Sequence, residues 1–498
     1  MKLRELLVGI EVIKIKARLD LCICNVSSDS KSITSSSLFI AIKGERRNGN
    51  DYIDNAVNNG AIAIITDDES VYEKTKSSIL VKNARRTLSY VWSNYYKNPQ
   101  KELKIIAITG TNGKTSTSYF LYNILKRANK SCGLISTIEC LINDEKIETG
   151  GGSEASDFVA SMTTPDPKIL FQILSQMRDA GVEIVVMEAS SHSLEQEKLA
   201  AIRFLCGAFT NLSSEHMDFH KNMESYFLSK SRLFEKCDFS VVNIDDEYGR
   251  RIKEKFTNTY TCSVNEKSDF LASNICVSDN GCEYEILDNK AKYLVKTKIS
   301  GKYTVYNSML AFAIAKLLNI SSEDILEGIY NLKCIKGRLE KIEKTNIYID
   351  YAHTPYAMEN VINTVRHFEP QKRLIVLFGC GGDRDKEKRP KMGEIATKMA
   401  DLTIITSDNS RSEDAVLIIK DILKGALPNS VYCIIPKRED AIKYAVKSLG
   451  ENDVLLLLGK GHEEYEIDKK GKHYFNERKI VKSVLEVRKW EIFSIRKK

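Results

Sequence analysis

Lys104-Ile105-Ile106-Ala107-Ile108-Thr109-Gly110-Thr111-Asn112-Gly113-Lys114-Thr115 is the stretch that decides the architecture of this chain. Lys104 to Ile108 is a short apolar strand that runs straight into a glycine-rich loop. Beyond the loop, Phe120, Leu121, Ile124 and Leu125 recur at helical spacing between Ser116 and Ala128,. Strand, loop and helix in that order form the setting a phosphate-binding loop needs. Glycine lets backbone N–H groups approach phosphate oxygens closely, and the helix that follows adds its positive end. In this reading Gly110, Thr111, Asn112, Gly113, Lys114, Thr115 and Ser116 hold ATP. Lys114 reaches the terminal phosphates and the Thr115 hydroxyl ligates Mg²⁺. The strict pattern has a glycine five residues before Gly113, where Ile108 stands, so GTNGKT is a shortened variant,. Glu188 closes the apolar run Ile184 to Met187; an acid at a strand end faces the ligand crevice and can hold the same Mg²⁺ or cap a helix,.

Upstream, Ser37-Leu38-Phe39-Ile40-Ala41-Ile42 and Ala61-Ile62-Ala63-Ile64-Ile65 flank a helix-like stretch from Tyr52 to Asn59, predicting a small N-terminal α/β unit,. Downstream, Glu183-Ile184-Val185-Val186-Met187 and Ser240-Val241-Val242-Asn243 alternate with helical patterns. Such alternation predicts a mostly parallel sheet covered on both faces. From Arg338 the alternation restarts at Ile347 to Asp350, Leu374 to Phe378, Leu402 to Thr406 and Val454 to Leu458. That second series is the pattern of a separate, Rossmann-like unit. The expected architecture is α/β in three domains: 1–100, a P-loop-type ATPase at 101–337, and 338–498.

A chain of 498 residues is too long for one ordinary core,. Hydrophobic residues at 43% and charged residues at 28% are the balance of a soluble globular enzyme,. The net charge of +7 is spread along the chain, which argues for a solvated surface and against a nucleic-acid partner,. The first twenty residues scatter charges through their apolar positions and lack a signal-peptide core,. No stretch reaches about 18 apolar residues, so no membrane span is expected. The twelve cysteines are dispersed without zinc-ligand spacing, and buried thiols in a reducing cytoplasm are expected,.

Further motifs follow in order: TTPDP (163–167), MEASSHSL (187–194), TNLSSEHMDFH (210–220), VYN (305–307), GRLE (337–340), DYAHTP (350–355), GCGGDRDKEKRPKMG (379–393), DNSR (408–411) and GKGHE (459–463). With the phosphate loop and the N-terminal SDSKSI they resemble the Mur ligase family, and within it the tripeptide synthetases of peptidoglycan synthesis. The resemblance implies an N-terminal domain for a uridine nucleotide, a central ATPase and a C-terminal domain for the incoming amino acid. It implies a reaction in which a substrate carboxylate takes the γ-phosphate of ATP and an amine then displaces phosphate. Lys114, Glu188, His216 and Lys230 match the catalytic positions, with Thr115, Glu188, His216 and Lys230 as Mg²⁺ ligands. Lys230 matches a lysine carbamylated in the family, a change that converts a cationic amine into the hard oxygen ligand Mg²⁺ prefers.

For ATP the resemblance adds Asn307, Arg338, Asp350 and His353; by residue type alone Asn307 is more often a cap or surface residue, Arg338 equally an interdomain ion pair, and His353 a binding residue or a core histidine. For the muramoyl-dipeptide nucleotide it implies Ser30, Thr163, Thr164, Ser190, Gln196 and Lys198. For the amino acid it implies Arg384, Asp408, Asn409, Arg411, Gly459 and Glu463. Arginine suits two-pronged carboxylate recognition, and Glu463 could hold a distal ammonium. The favoured substrates are therefore UDP-MurNAc-L-Ala-D-Glu and meso-2,6-diaminopimelate, acted on by a cytoplasmic monomer. Departures from the family pattern are Lys31, Met162, Glu215, Lys198, Asn476 and Ser410. Lys198 loses bidentate geometry, and Ser410 releases the φ that proline would impose in DNPR. They leave open a divergent ligase using L-lysine or another amino acid or acceptor, and an inactive nucleotide-binding paralogue.

Overall fold

The computed structural model of the chain describes residues 1–44, 47–147 and 163–495, with side chains to residue 487; Met162 lies outside the described residues. Three sheets follow one another along the chain. The first has five strands in the spatial order Val12–Ile15, Ser78–Val81, Ala61–Thr66, Ser37–Ile40 and Asn25–Ser27, parallel except for the first pair.

The central sheet has eleven strands, with Lys104–Thr109 inside a block of seven parallel ones. Their order is Phe270–Ser278, Thr259–Ser263, Cys237–Asn243, Phe204–Phe209, Lys104–Thr109, Ile184–Glu188 and Cys132–Ile135. Ile184–Glu188 is buried along its whole length, as an unbroken apolar run between parallel neighbours should be,. Antiparallel ribbons extend both edges: Gly281–Asp288 with Lys292–Thr297 at one, Cys140–Ile142 with Glu145–Lys146 at the other. They are the part of the sheet that the parallel pattern does not anticipate. Helix Lys302–Leu317 packs helix Lys114–Arg127 against one face, and its stretch Ser308 to Ala315 is buried on every side.

The N-terminal sheet has no separate core on its inner face. Leu38, Ile65 and Trp92 belong to one apolar cluster with Leu103, Phe171, Leu174 and Met177 of the central unit. Ser89 Oγ also donates to the Lys198 carbonyl at 2.9 Å.

The third sheet has six strands in the order Glu340–Lys341, Ile347–Asp350, Asp453–Leu458, Arg373–Phe378, Leu402–Ile405 and Tyr432–Ile434. All are parallel except the first pair. The loops at 351–354, 379–387, 406–414 and 459–464 leave the carboxyl edge of this sheet, which is where open α/β sheets bind ligands,. Six cysteines are buried thiols, but Cys22, Cys24, Cys276 and Cys334 are exposed, against the expectation from composition. Cys22, Cys24 and Cys334 lie outside the strands, and Cys276 lies at an exposed position of strand Phe270–Ser278. No helix among the described residues is long and apolar enough to cross a membrane.

Helix Glu477–Ile495 is tied to the third sheet by an ion pair with no exposure on either side, Arg438 Nε to Glu477 Oε1 at 2.8 Å. Arg438 also donates to the carbonyl of Leu458 at 2.7 Å. Removing one partner strands a buried charge, which typically costs about 3–5 kcal/mol. Arg438→Met is expected to lower unfolding stability by that order in urea titration, with helix Glu477–Ile495 released first.

Candidate active site

The phosphate loop has two residues that only glycine can occupy. Gly110 has φ 146° and Gly113 has φ 87°, and added Cβ atoms would lie 1.9 Å from Thr210 Oγ1 and 2.3 Å from Asn307 Oδ1 respectively. Thr210 and Asn211, just past strand Phe204–Phe209, brace the loop from below. Thr210 Oγ1 donates to the Asn112 carbonyl at 2.6 Å, and Asn211 Oδ1 accepts from Asn112 N at 3.0 Å. Asn307 reaches the loop from helix Lys302–Leu317 and accepts from Thr117 Oγ1 at 3.4 Å. Thr115 and Ser116 are buried in the first turn of helix Lys114–Arg127, where free backbone N–H groups meet an anion,.

Two lysine amines meet on one oxygen of this loop. Lys114 Nζ donates to the carbonyls of Gly110 at 2.9 Å and Thr111 at 2.8 Å. Lys230 Nζ, from helix Met223–Ser231, donates to the same Gly110 carbonyl at 2.8 Å and sits 4.6 Å over the Tyr226 ring. Burial pushes the Lys114 pKa down. Burial pushes Lys230 well down, and the neighbouring Lys114 charge adds to it,. Both effects favour the neutral form of the Lys230 amine.

Glu188 ends its strand beside the loop, in register with Ile108. Its carboxylate accepts from Thr137 N at 2.8 Å and Thr137 Oγ1 at 2.9 Å. Thr137 Oγ1 also lies 3.2 Å from Thr163 Oγ1, and Thr164 Oγ1 donates to the Glu188 carbonyl at 2.9 Å. Ser190 lies 3.3 Å from Thr164 Oγ1 and caps helix Ser191–Glu195. Lys198 pairs with Asp166 at 2.6 Å, so it faces the TTPDP segment. Thr163, Thr164, Ser190 and Lys198 thus gather round one corner. Gln196 follows the short helix, next to a second cleft lined by Lys43, Arg85, Glu195, Glu197 and Arg232. Ser30 is buried in the N-terminal unit, its carbonyl held by Asn59 at 2.9 Å.

Arg338 crosses from the third sheet's unit to the loop, donating from Nη2 to Thr115 Oγ1 at 3.1 Å and lying over Tyr351 at 4.8 Å. Asp350 is buried and accepts from Leu339 N at 2.6 Å and Ala352 N at 2.7 Å. Burial raises its pKa against the pull of Arg338. In this structure Asp350 shapes the turn that carries His353. His353 Nε2 lies 3.1 Å from Glu215 Oε1, and its Nδ1 lies 2.7 Å from the Tyr351 carbonyl. Burial alone would raise the Glu215 pKa, but His216 and His353 outweigh it and hold Glu215 well below the usual carboxylate range. His216 sits at φ 58° before helix Met217–His220, its ring edge-on to His192 at 4.8 Å.

The amino-acid residues cluster at the carboxyl edge of the third sheet. Asn409 is buried, donating to Glu463 Oε2 at 2.9 Å and accepting from Lys460 Nζ and Ile467 N, both at 3.0 Å. Asp408 accepts from Asn409 N at 2.5 Å, and a Cβ on Gly459 would fall 2.7 Å from its Oδ2. All six of Arg384, Asp408, Asn409, Arg411, Gly459 and Glu463 line one opening, and Asp408, Asn409 and Gly459 also hold its loops together. Burial, then Arg411, lowers the Arg384 pKa. Burial, then Asp408, raises that of Glu463.

One cleft of about 530 Å³ joins the two halves. Thr137, Thr163, Glu215 and His216 line it from the central unit, with Tyr351, His353, Arg384, Lys388, Arg411, His462 and Glu463 opposite. Thr210, Asn211, Tyr351, Lys388 and His462 lie inside the quoted motifs but were assigned no role from sequence, and Thr137 lies outside every motif. Glu215 had a signal in its position beside His216. Among the described residues no group of three or more His, Cys, Asp or Glu side chains is placed to hold a metal.

Family models match along the chain in the same order: the Mur ligase family catalytic domain over residues 23–102, the Mur ligase middle domain over 108–315 and the Mur ligase glutamate ligase domain over 337–461. The chain belongs to the Mur ligase family, whose members are ATP-dependent ligases. It is 39% identical, over 498 aligned residues spanning 98% of this chain and 100% of the relative, to the UDP-N-acetylmuramoyl-L-alanyl-D-glutamate–2,6-diaminopimelate ligase of Clostridium perfringens. The ligase of the same name from Clostridioides difficile is 38% identical, with 97% and 99% of the two chains covered. A solved structure of a ligase of that name superposes with a TM-score of 0.67 at 26% identity, covering 98% of this chain and 99% of the other. The MurF ligase from Thermotoga maritima in complex with ADP shares the fold at a TM-score of 0.59 and 20% identity, covering 88% and 94%.

His220 and His462 are buried, and burial lowers their pKa values to about 4 and about 3 from 6.5. The folded state refuses protons that the unfolded chain accepts below pH 6.5. Stability is therefore full above that pH and falls as pH drops toward the folded values, with a slope approaching about 1.4 kcal/mol per pH unit for each ring. Urea unfolding at pH 7, 6 and 5 is expected to show this fall, and His462→Gln to show a smaller one.

Proposed function

We propose that the chain joins meso-2,6-diaminopimelate to UDP-MurNAc-L-Ala-D-Glu, spending one ATP per bond, in the cytoplasmic stage of peptidoglycan synthesis. The single cleft that sets His216, Glu215 and Thr137 against Arg384, Arg411 and Glu463 carries the reading. It lets a phosphorylated acceptor from the central unit meet an amino acid held by the C-terminal one. Divisions near residues 100 and 337 separate the three substrate-binding units.

In the first step an acceptor carboxylate oxygen attacks the γ-phosphorus of ATP, and the bond to the β-phosphate oxygen breaks, releasing ADP. Two anions must approach one another, so cations belong between them. The loop Gly110–Ser116 cradles the phosphates, Lys114 swings from its own loop carbonyls to the terminal ones, and Asn307 and Arg338 flank the nucleotide. Asp350 positions the turn of His353, which faces the same side through Glu215. Thr163, Thr164, Ser190, Gln196 and Lys198 bind the acceptor's pyrophosphate and peptide, with Ser30 at the uracil end. In the second step the amine attacks the acyl carbon, and the tetrahedral intermediate expels phosphate. Arg384 and Arg411 take the amino acid's carboxylates and Glu463 an ammonium.

Thr115, Glu188, His216 and Lys230 are the residues that would hold Mg²⁺, which supplies charge neutralisation at the phosphates when bound. An unmodified lysine offers that cation no acceptor, so the set fits only with Lys230 carbamylated. The burial that pushes the Lys230 pKa well down supports this, because carbamylation needs a neutral nitrogen. It also replaces repulsion between Lys230 and Lys114 by attraction.

The test supplies ATP, Mg²⁺, UDP-MurNAc-L-Ala-D-Glu and single amino acids, and reads phosphate release and product mass. Diaminopimelate is expected to give the highest kcat/KM, and a panel with no amino-acid-dependent phosphate release would sink the ligase reading. Lys230→Ala is expected to abolish turnover with no rescue by bicarbonate. Arg411→Ala is expected to raise the diaminopimelate KM by about tenfold or more while leaving the ATP KM within about twofold.

A further inference from the structure

Two loops present the arginines of the amino-acid pocket, and each has a non-glycine residue in the left-handed region: Asp383 at φ 52° and Arg411 at φ 51°. L-residues other than Asn and Asp rarely stay there unless neighbours hold them. The two loops also carry like charges into one pocket, since Arg384 and Arg411 both line it. Left alone, the guanidinium groups would drive the loops apart.

A reciprocal set of bonds holds them together. Gly382 N donates to the Asn409 carbonyl at 2.9 Å. The Asp383 carboxylate accepts from Ser412 Oγ at 2.6 Å and Ser412 N at 3.1 Å. In return Glu413 Oε1 accepts from Asp383 N at 2.6 Å. Behind both loops lies Arg389, with no exposure at all. Its Nη2 donates to Glu413 Oε1 at 2.8 Å and to the Gly381 carbonyl at 3.3 Å. Its Nη1 donates to Glu413 Oε2 and to Asp421 Oδ2, both at 3.0 Å. Arg411 Nη1 closes the circuit by donating to the Gly382 carbonyl at 2.8 Å. Ser410 leaves the second loop without a ring-locked residue between Asn409 and Arg411; these bonds tie it to the first loop, while Asn409 and Arg411 N anchor it to Lys460, Glu463 and Ile467,.

We propose that the clamp Arg389–Glu413–Asp383–Ser412 is the specificity-setting positioning device of the amino-acid pocket: it fixes the spacing of Arg384 and Arg411 for a substrate with a second carboxylate. The proposal rests on the assignment of this pocket to the amino acid. The clamp residues touch no reacting atom and act through the two arginines. Arg389 is buried among carboxylates on the far side of the loops, and Asp383 and Glu413 spend their oxygens on the neighbouring loop. A loosened clamp lets the arginines spread, which weakens binding of a distal carboxylate and leaves the ATP site untouched.

The experiment measures kcat/KM for diaminopimelate and for L-lysine, which lacks the distal carboxylate, in the wild type, Glu413→Gln, Asp383→Asn and Arg411→Ala. Glu413→Gln is expected to cut the preference for diaminopimelate about tenfold, with the KM values for ATP and the acceptor within about twofold. Glu413→Asp is expected to restore part of it. If Glu413→Gln fails to fold, as judged by loss of ADP binding, Asp383→Asn carries the test, because its exposed carboxylate leaves no buried charge behind. An unchanged preference in the clamp variants, or equal rises in all three KM values, overturns the clamp while Arg411→Ala still lowers the preference. A wild type without preference, or an Arg411→Ala variant that keeps it, overturns the amino-acid assignment and the clamp with it.

Discussion

The carbonyl oxygen of Gly110 accepts from two lysine amines at once, Lys114 and Lys230. Much of the molecule is arranged to permit that contact. Gly110 must be glycine because Thr210 fills the place of a side chain, and Thr210 is there because strand Phe204–Phe209 runs parallel beside Lys104–Thr109. Lys230 arrives on a separate helix whose Tyr226 packs under the amine and bonds Thr111 at 3.2 Å. Two ammonium groups this close cannot both keep their charge in a buried site. Lys230, the more enclosed, is the one whose amine is pushed well down from its ordinary pKa by burial and by Lys114.

The same contact explains how the two halves of the site divide their work. Lys114 and Lys230 gather at the loop of the central unit, while Arg338 and His353 reach in from the C-terminal unit to Thr115 and Glu215. The proposed reaction would join substrates held on different sheets, and bonds that cross between them are what such a reaction requires. The loop at 351–354, on the carboxyl edge of the third sheet, supplies the His353 crossing, while Arg338 lies just ahead of strand Glu340–Lys341,.

The parallel centre of the fold was legible because a buried strand beside parallel neighbours must be apolar throughout, as Ile184 to Glu188 nearly is. The ribbons at its edges were not, because Gly281–Asp288 and Lys292–Thr297 mix buried and exposed positions with many polar residues. The shared core of the N-terminal and central units was also hidden, since no local pattern says which apolar faces meet. In the site, Glu188 ends the strand beside the phosphate loop that carries Lys114, and His216, Arg384, Arg411 and Glu463 line one cleft. Roles inside a motif were harder to separate. Asp408 and Asn409 spend their polar groups on the scaffold, and only three-dimensional partners reveal that. Thr137, Arg389 and Glu413 acquire meaning through contacts with distant segments, so sequence spacing could not single them out.

Oxygen transfer tests the central claim most directly. The acceptor would be prepared with both oxygens of its reacting carboxylate as ¹⁸O and converted with unlabelled ATP and diaminopimelate. Activation through an acyl phosphate predicts that each released phosphate carries one ¹⁸O and that the new amide keeps the other. Phosphate free of label, with product still formed, would contradict carboxylate activation at the Gly110–Ser116 loop.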